Sequence, residues 1–285
     1  MNSIKLTIST LVALAFSGSA AWAAPILGAD LASFAVLGAS GVTNVPISTI
    51  GGNLGSAPNA SVGGGYVFSS GSLQQNTSLA QGAQLDLDAA ILALNAVAST
   101  SSFFSNGAAT SYLPGVYDGG AVTMGAAVTL DGGGSNSAVW IFRTTSTLIT
   151  ATTASVSVTN VGNGANVGIY WVVGSAATLD GPQFVGNVLA SDLISSDGDL
   201  TLSCGRLLSA EKQVTLIHDT ISIGCGALGA TGFGSGGYDQ GVAIGSGGVG
   251  GSGGLVVNGV PEPASLALVG LGLLAGLGFG RSKRA

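Results

Sequence analysis

Short apolar segments recur along most of this chain, separated by Gly, Asn and Asp. Val, Ile, Trp, Tyr and Phe dominate these segments, as is typical of β-strands, and the residues between them favour turns. The segments recur at roughly 20-residue intervals, the period expected for the rungs of a β-solenoid. A β-sandwich built from the same strands is the alternative. The clearest segments are residues 138–142, 155–158, 167–173, 184–190 and 214–217.

One segment departs from this pattern. Residues 77–99 are rich in Ala, Leu and Gln, and their apolar side chains recur at helical spacing. The spacing predicts a single amphipathic helix that packs along the body of the β-domain. Its apolar stripe comprises Leu87, Ala90, Ile91, Leu94 and Val97.

The first 23 residues have the features of a secretory signal. Lys5 precedes an apolar stretch from Leu6 to Phe16, and small residues then lead to the sequence Ala21-Trp22-Ala23. This order predicts a signal peptide over residues 1–23 and a mature chain that begins near Ala24. An uncleaved anchor is the alternative, but the apolar stretch is short for a span that needs about 20 residues.

The C-terminal part divides into a Gly-rich stretch and a second signal. Residues 224–259 include 16 Gly, a composition that predicts a flexible linker. Next comes Val260-Pro261-Glu262-Pro263, then an apolar run over residues 264–279 and the basic sequence Arg281-Ser282-Lys283-Arg284. Residues 260–285 thus resemble the PEP-CTERM sorting signal of Gram-negative bacteria. A plain C-terminal membrane anchor is the alternative.

The sorting-signal resemblance implies a route out of the cell. The apolar run 264–279 would anchor the chain transiently in the inner membrane, with the basic tail in the cytoplasm. An exosortase-type protease would then cut near the motif. The expected location is outside the cell or on the surface of a Gram-negative bacterium.

Charge and composition exclude several function classes. The chain has 7 Lys and Arg against 13 Asp and Glu, and therefore lacks the basic surface that nucleic-acid binding requires. It contains one His, and its carboxylates are scattered without a nucleophile–base spacing. We expect neither an enzyme nor a bound metal or cofactor.

Two cysteines, Cys204 and Cys225, lie 21 residues apart, or about one rung. An even number of cysteines in an exported chain favours a disulfide. Equivalent positions on neighbouring rungs would lie about 4.8 Å apart, within the usual Cα separation of a disulfide. A metal site is the alternative, but two thiols and one His form a poor ligand set.

Several sequence blocks resemble, in order, the bacterial and fungal ice-binding-like domain family. The resemblance covers about residues 29–224 and implies a discontinuous right-handed parallel β-helix with one long α-helix alongside, an all-β dominated fold. The predicted domain spans residues 24–223. The matching blocks are residues 31–38, 42–44, 50–55, 113–117, 138–143, 170–179 and 184–190.

The resemblance also implies a candidate binding face. Active members of the family bind ice through a flat face that carries Thr-Ala/Gly-x-Thr/Asn on successive rungs. One segment here, residues 150–153, matches this motif well, whereas neighbouring rungs carry carboxylates such as Asp180 and Asp199. Rough alignment of the rungs gives the candidate residues Thr150, Thr152, Thr153, Thr201 and Thr220.

Two non-enzymatic functions follow from these features. The first is adsorption to ice or to an ordered water surface. The second is a structural or adhesive role in an extracellular matrix or biofilm, with exopolysaccharide as the partner. An uncharged Thr/Ser/Ala array on one face would favour ice, and a face interrupted by Asp180, Pro182 and Asp199 would favour the matrix. Trp140 and Trp171 lie in apolar strands and are expected in the core rather than on a sugar-binding platform.

Overall fold

The fold is a three-sided parallel β-helix in which the central rungs contribute one strand segment to each of three sides. The computed structural model describes residues 26–103, 109–135, 138–161 and 167–224. All strand pairs of the described residues are parallel, and paired positions lie about one rung apart in the sequence except where the first rung pairs with the last. The predicted β-helix is confirmed, and the sandwich alternative is wrong. Strands are numbered in chain order below.

The long side of the prism contains the longest strands together with several short ones. β17 (Gln183–Ala190) and β19 (Thr201–Ser209) contribute only their second halves to it, because a register shift in each bends the strand around a corner. The other long-side strands are β1 (Phe34–Gly38), β4 (Asn53–Ser56), β6 (Leu73–Gln75), β7 (Ser101–Ser102), β9 (Gly115–Gly119), β12 (Val139–Thr144) and β15 (Gly168–Val173).

The second side, here called the short side, is a six-stranded sheet. It comprises β2 (Gly41–Val45), β10 (Val122–Met124), β13 (Leu148–Thr150), β16 (Ala177–Leu179), β18 (Ile194–Ser196) and β20 (Gln213–Ile217). The third, or divided, side joins a three-stranded sheet to the first halves of β17 and β19. Its remaining strands are β3 (Ser48–Gly51), β5 (Tyr66–Ser70), β8 (Thr110–Tyr112), β11 (Val128–Asp131), β14 (Val156–Thr159) and β21 (Thr220–Ser222).

The β-helix is discontinuous in sequence. Strands β1, β2 and β3 form a rung that pairs with β19, β20 and β21, so the first rung of the chain lies against its last. Strands β4, β5 and β6 then extend this end, and the chain next runs along the long side as a helix and starts the remaining rungs from the far end. This arrangement agrees with the fold implied by the family resemblance.

The helix α1 spans Ser78–Asn95 and covers the long side. Thr77 caps its N-terminus, since the Thr77 side chain accepts a hydrogen bond from the backbone N–H of Ala80. The predicted apolar stripe faces inward, with Leu87, Ala90 and Leu94 fully buried. The central long-side strands, such as β1, β12 and β15, are therefore buried on both faces, which explains their almost continuous apolar sequences.

The space between the three sides is filled by a separate apolar core. Trp140 and Trp171 are both buried in it, as predicted, and the ring of Trp171 stacks on Phe142 with centroids 4.2 Å apart. Each indole N–H is satisfied by a backbone carbonyl, that of Tyr112 for Trp140 and that of Val185 for Trp171. Both tryptophans are thus unable to stack on a saccharide.

Several sequence predictions concern residues outside the described ranges. These are the signal peptide 1–23, the linker beyond Gly224, the sorting motif Val260–Pro263 and the membrane segment 264–279. Within the described ranges, no helix combines the length and the hydropathy needed to span a bilayer.

Candidate functional site

The five predicted threonines do not share one surface. Thr150 ends β13 and is buried, and its Oγ1 accepts hydrogen bonds from the backbone N–H groups of Asp180 (2.9 Å) and Gly181 (3.1 Å). Its side chain therefore points into the corner between two sides, where it cannot contact an external ligand. This placement corrects the expectation for Thr150.

Thr152 and Thr153 are exposed, but they lie in the turn that follows β13 rather than on a sheet. The Thr153 hydroxyl donates to the carbonyl of Gly125 on the neighbouring rung (3.0 Å). Thr201 and Thr220 are paired neighbours on the divided side. The structure thus brings together two of the five candidates and places the other exposed pair at a corner.

A different row of side chains, on the short side, forms the most regular polar array of the described structure. The strands of this side alternate inward, outward and inward, so that one central residue of each points to solvent. These six residues are in register across the whole sheet, and none of the five pairings contains a bulge. We call them the short-side row: Thr123, Ile149, Thr178, Ser195, Thr215 and Thr43.

The short-side row is uncharged and closely spaced. Neighbouring members lie one strand apart, about 4.8 Å, so the six residues extend over about 24 Å. The Thr43 hydroxyl donates to the Thr215 hydroxyl (3.1 Å), which links the ends of the first and last rungs. Four Thr each present a methyl group and a hydroxyl, Ser195 presents a hydroxyl, and Ile149 adds an apolar side chain that is 38% exposed.

The inward residues of the same strands fix the row in place. Leu148, Ala177, Ile194 and Val214 are fully buried, and each directly precedes a member of the row. Close packing beneath each outward side chain leaves the backbone little freedom to move. The row is therefore a rigid surface before any ligand arrives.

Carboxylates stand at the edges of the short side rather than in its middle, with Asp192 and Glu211 in the turns before β18 and β20. Asp180 and Asp197 follow β16 and β18 and lie on adjacent rungs. Burial raises the pKa of the Asp180 carboxyl, and the neighbouring Asp197 raises it further. The charge that the sequence predicted for this face thus lies at its edges, and the central row is free of it.

A buried carboxylate stabilises this corner from inside. Asp219 accepts hydrogen bonds from the Ser196 hydroxyl and from the backbone N–H groups of Leu200 and Ile217 (3.0 Å each). Its own N–H donates to the Ser48 hydroxyl (2.9 Å). Burial raises the pKa of Asp219 despite these hydrogen bonds. The residue joins three rungs at the boundary between the short and divided sides.

Cys204 lies at the corner where β19 bends from the divided side to the long side. It is disulfide-bonded and adopts a left-handed backbone conformation with φ of 52°. Its N–H donates to the carbonyl of Gly224 (3.1 Å), which holds the end of the described chain against β19. Cys225, its predicted partner, lies outside the described residues.

Comparison with known proteins identifies the family. Residues 36–222 match the family model described as ice-binding-like, and residues 259–284 match the PEP-CTERM protein-sorting motif. The chain belongs to the ice-binding-like family. The sorting motif of this ice-binding-like chain suggests export to the cell surface or secretion.

Relatives of the ice-binding-like chain include proteins named for ice binding. An ice-binding protein of Nostoc sp. (strain HG1) is 32% identical over 197 residues, which cover 68% of this chain and 72% of the relative. A crystal structure of an ice-binding protein from the Antarctic ascomycete Antarctomyces psychrotrophicus aligns with TM-score 0.63 and 30% identity, covering 70% of this chain and 98% of that one. Another, from an Antarctic biological consortium, aligns with TM-score 0.62 and 32% identity, covering 75% and 96%.

Proposed function

We propose that this ice-binding-like protein adsorbs to ice through its short side, without catalysing a reaction. The observation that carries the proposal is the short-side row, in which hydroxyls and methyl groups repeat in register on a sheet without bulges. Each hydroxyl can hold one water molecule, and the neighbouring methyl groups limit further hydration. Water ordered on such a surface can join an ice lattice.

Rigidity strengthens this mechanism. Adsorption usually costs free energy because side chains at an interface lose conformational freedom. Here Thr178 and its neighbours are β-branched or short and stand on a packed core, so most of their order is established when the protein folds. Many weak contacts made at once can then exceed the cost of binding.

The test is ice recrystallisation inhibition and crystal shaping by the purified protein, with Thr178→Tyr as the variant. A Tyr ring in the middle of the row would prevent the short side from approaching the crystal, so activity should fall. Ala89→Tyr, on the exposed face of α1, is the matched control and should retain activity. Far-ultraviolet circular dichroism and thermal unfolding of both variants check that the fold is intact.

An inactive but folded wild-type protein would reject ice adsorption and leave exopolysaccharide binding as the function to test by pull-down. Ice is favoured over exopolysaccharide because the short-side row is uncharged and because Trp140 and Trp171 are buried. Full activity of Thr178→Tyr together with active wild type would reject the short side as the adsorbing face.

We propose further that the C-terminal sorting motif directs processing by an exosortase-type protease in a Gram-negative bacterium, after transient anchoring in the inner membrane through residues 264–279. The match over residues 259–284 supports this route. Intact-mass measurement of the exported protein tests it. A mass that ends near Val260–Pro263 is expected, and a mass that retains the C-terminal segment would contradict cleavage.

A further inference from the structure

The divided side carries a second row of polar side chains in register. The divided-side row comprises Ser155, Gln183, Thr201, Thr220 and Thr49. Thr201 pairs with Gln183 on one side and with Thr220 on the other, and Thr220 pairs with Thr49. A bridge between Ser155 and Gln183 extends the row toward the three-stranded sheet.

Backbone hydrogen bonds join the neighbouring rungs beside this row. The N–H of Thr201 donates to the carbonyl of Pro182 (3.0 Å), and the N–H of Thr220 donates to the carbonyl of Leu200 (2.8 Å). The residues that follow the row in each strand are buried, so the outward side chains stand on a packed core as they do on the short side. Those buried residues are Val156, Phe184, Leu202, Ile221 and Ile50.

The chemistry of the row also matches that of the short side. All five members are uncharged, and four of them carry a hydroxyl on a short side chain. Thr220 is exposed, and the other members are half-buried. Side chains of this kind, about 4.8 Å apart along the helix axis, form the same type of array as the short-side row.

The two rows cannot contact one flat surface together. They lie on different sides of the prism, and the corner between them carries Asp180, Asp197 and Asp199. Ionised carboxylates keep their own hydration shells, so the corner separates the two uncharged surfaces. A ligand that covers one row therefore leaves the other facing solvent.

We propose that the divided side is a second ice-adsorbing surface, so that one molecule can adsorb in two orientations. This inference rests on the proposed function of the short side and extends it. The two rows differ in composition, because the divided side has Gln183 where the short side has only Thr, Ser and Ile. The two surfaces should consequently adsorb to different planes of an ice crystal, and one molecule should be able to bridge two crystals.

The experiment compares where fluorescently labelled protein adsorbs on a single-crystal ice hemisphere. Four proteins are used: wild type, Thr178→Tyr on the short side, Thr220→Tyr on the divided side, and the double variant. The wild type should label two sets of planes. Each single variant should lose one set and keep the other, and the double variant should lose both. Ala89→Tyr should label like the wild type, which controls for an added aromatic ring.

The outcomes separate the two proposals. If Thr178→Tyr alone abolishes all labelling, the short side is the adsorbing surface and the second surface is rejected. If Thr220→Tyr labels like the wild type while Thr178→Tyr keeps no plane, the same conclusion holds. If the folded wild type labels no plane, the proposed function itself fails. Retention of one set of planes by each single variant is the result that supports two surfaces.

Discussion

Arg143 and Asp118 form a two-point ion pair beside the C-terminus of α1. Nε of Arg143 lies 2.6 Å from Oδ1 of Asp118, and Nη2 lies 2.9 Å from Oδ2. The remaining Nη1 donates to the backbone carbonyls of Leu94, Asn95 and Val97. A single side chain of β12 therefore joins β9, β12 and the last turn of the helix, where a cation is also favoured by the helix dipole.

Replacement of this arginine should loosen the helix from the long side. Arg143→Lys keeps the charge but loses the planar fork, so it can serve only one of the two sets of acceptors. We expect a loss of about 1.5–3 kcal/mol in the free energy of unfolding, the usual size for hydrogen bonds that involve a charged group. Chemical denaturation of both proteins measures this loss. An unchanged midpoint would contradict the proposed role of Arg143 in holding the helix to the long side.

Thr150 offers a test of its buried placement. Thr150→Val preserves shape but removes the acceptor for two backbone N–H groups, those of Asp180 and Gly181. We expect a loss of about 1–3 kcal/mol, because the buried N–H of Gly181 is left without a partner and that of Asp180 keeps only its longer bond to the Thr150 carbonyl (3.3 Å). Thr152→Val, at an exposed turn position, is the matched control and should change the unfolding free energy by less than about 0.5 kcal/mol. Equal effects of the two substitutions would argue against the buried role.

Charge on the short-side row should weaken adsorption independently of size. Ser195→Asp and Ser195→Asn introduce side chains of nearly equal shape in the middle of the row. The carboxylate holds its own hydration shell, whereas the amide is neutral. We expect Ser195→Asp to need a higher protein concentration for recrystallisation inhibition than Ser195→Asn, which should stay close to wild type. Identical end points would show that the row is not in contact with ice.

The buried Asp219 makes stability depend on pH in a defined direction. Its pKa is raised in the folded protein, so the folded state binds the proton more tightly than the unfolded state. Its contribution is therefore most favourable at low pH and is lost as the pH rises through the raised pKa. Asp219→Asn is neutral at every pH.

We therefore expect the stability of Asp219→Asn relative to wild type to increase as the pH is raised from about 4, near the ordinary pKa of aspartate, to 7. Thermal unfolding of both proteins across this range measures the difference. The comparison cancels the opposite contribution of Asp118, whose pKa is lowered by its hydrogen bond to Arg143. A difference that is constant with pH would contradict a raised pKa at Asp219.

The sequence allowed the elements of the fold to be predicted better than their alignment. The spacing of Leu87, Ala90 and Leu94 is a local property of one helix, and the structure confirms it. Strand segments such as residues 167–173 are likewise recognisable from their own composition. The order of the rungs is different, because the pairing of β2 with β20 joins residues far apart in the chain. Only the family resemblance implied that discontinuity.

The candidate binding face was also predicted less well than the strands that form it, because its position depends on how the rungs align. Turns between rungs differ in length, so the rung alignment placed the face at Thr150–Thr153, at the corner just past the short side. The sequence pattern of the short-side row is weak in any one strand. In β16, for example, one outward Thr178 lies between buried Ala177 and Leu179, as in an ordinary half-buried strand. It becomes recognisable only when the register of six strands is known.

The pairing of Thr43 with Thr215 also has a consequence for export. A chain that crosses a membrane with its N-terminus first delivers Thr43 long before Thr215, and the two hydroxyls are 172 positions apart. The short side therefore remains without its last strand until nearly the whole β-helix has crossed. Contacts of such long range also slow folding. A partly translocated chain would accordingly lack part of the short side, so the surface proposed to adsorb ice would be complete only after nearly all of the β-helix has crossed.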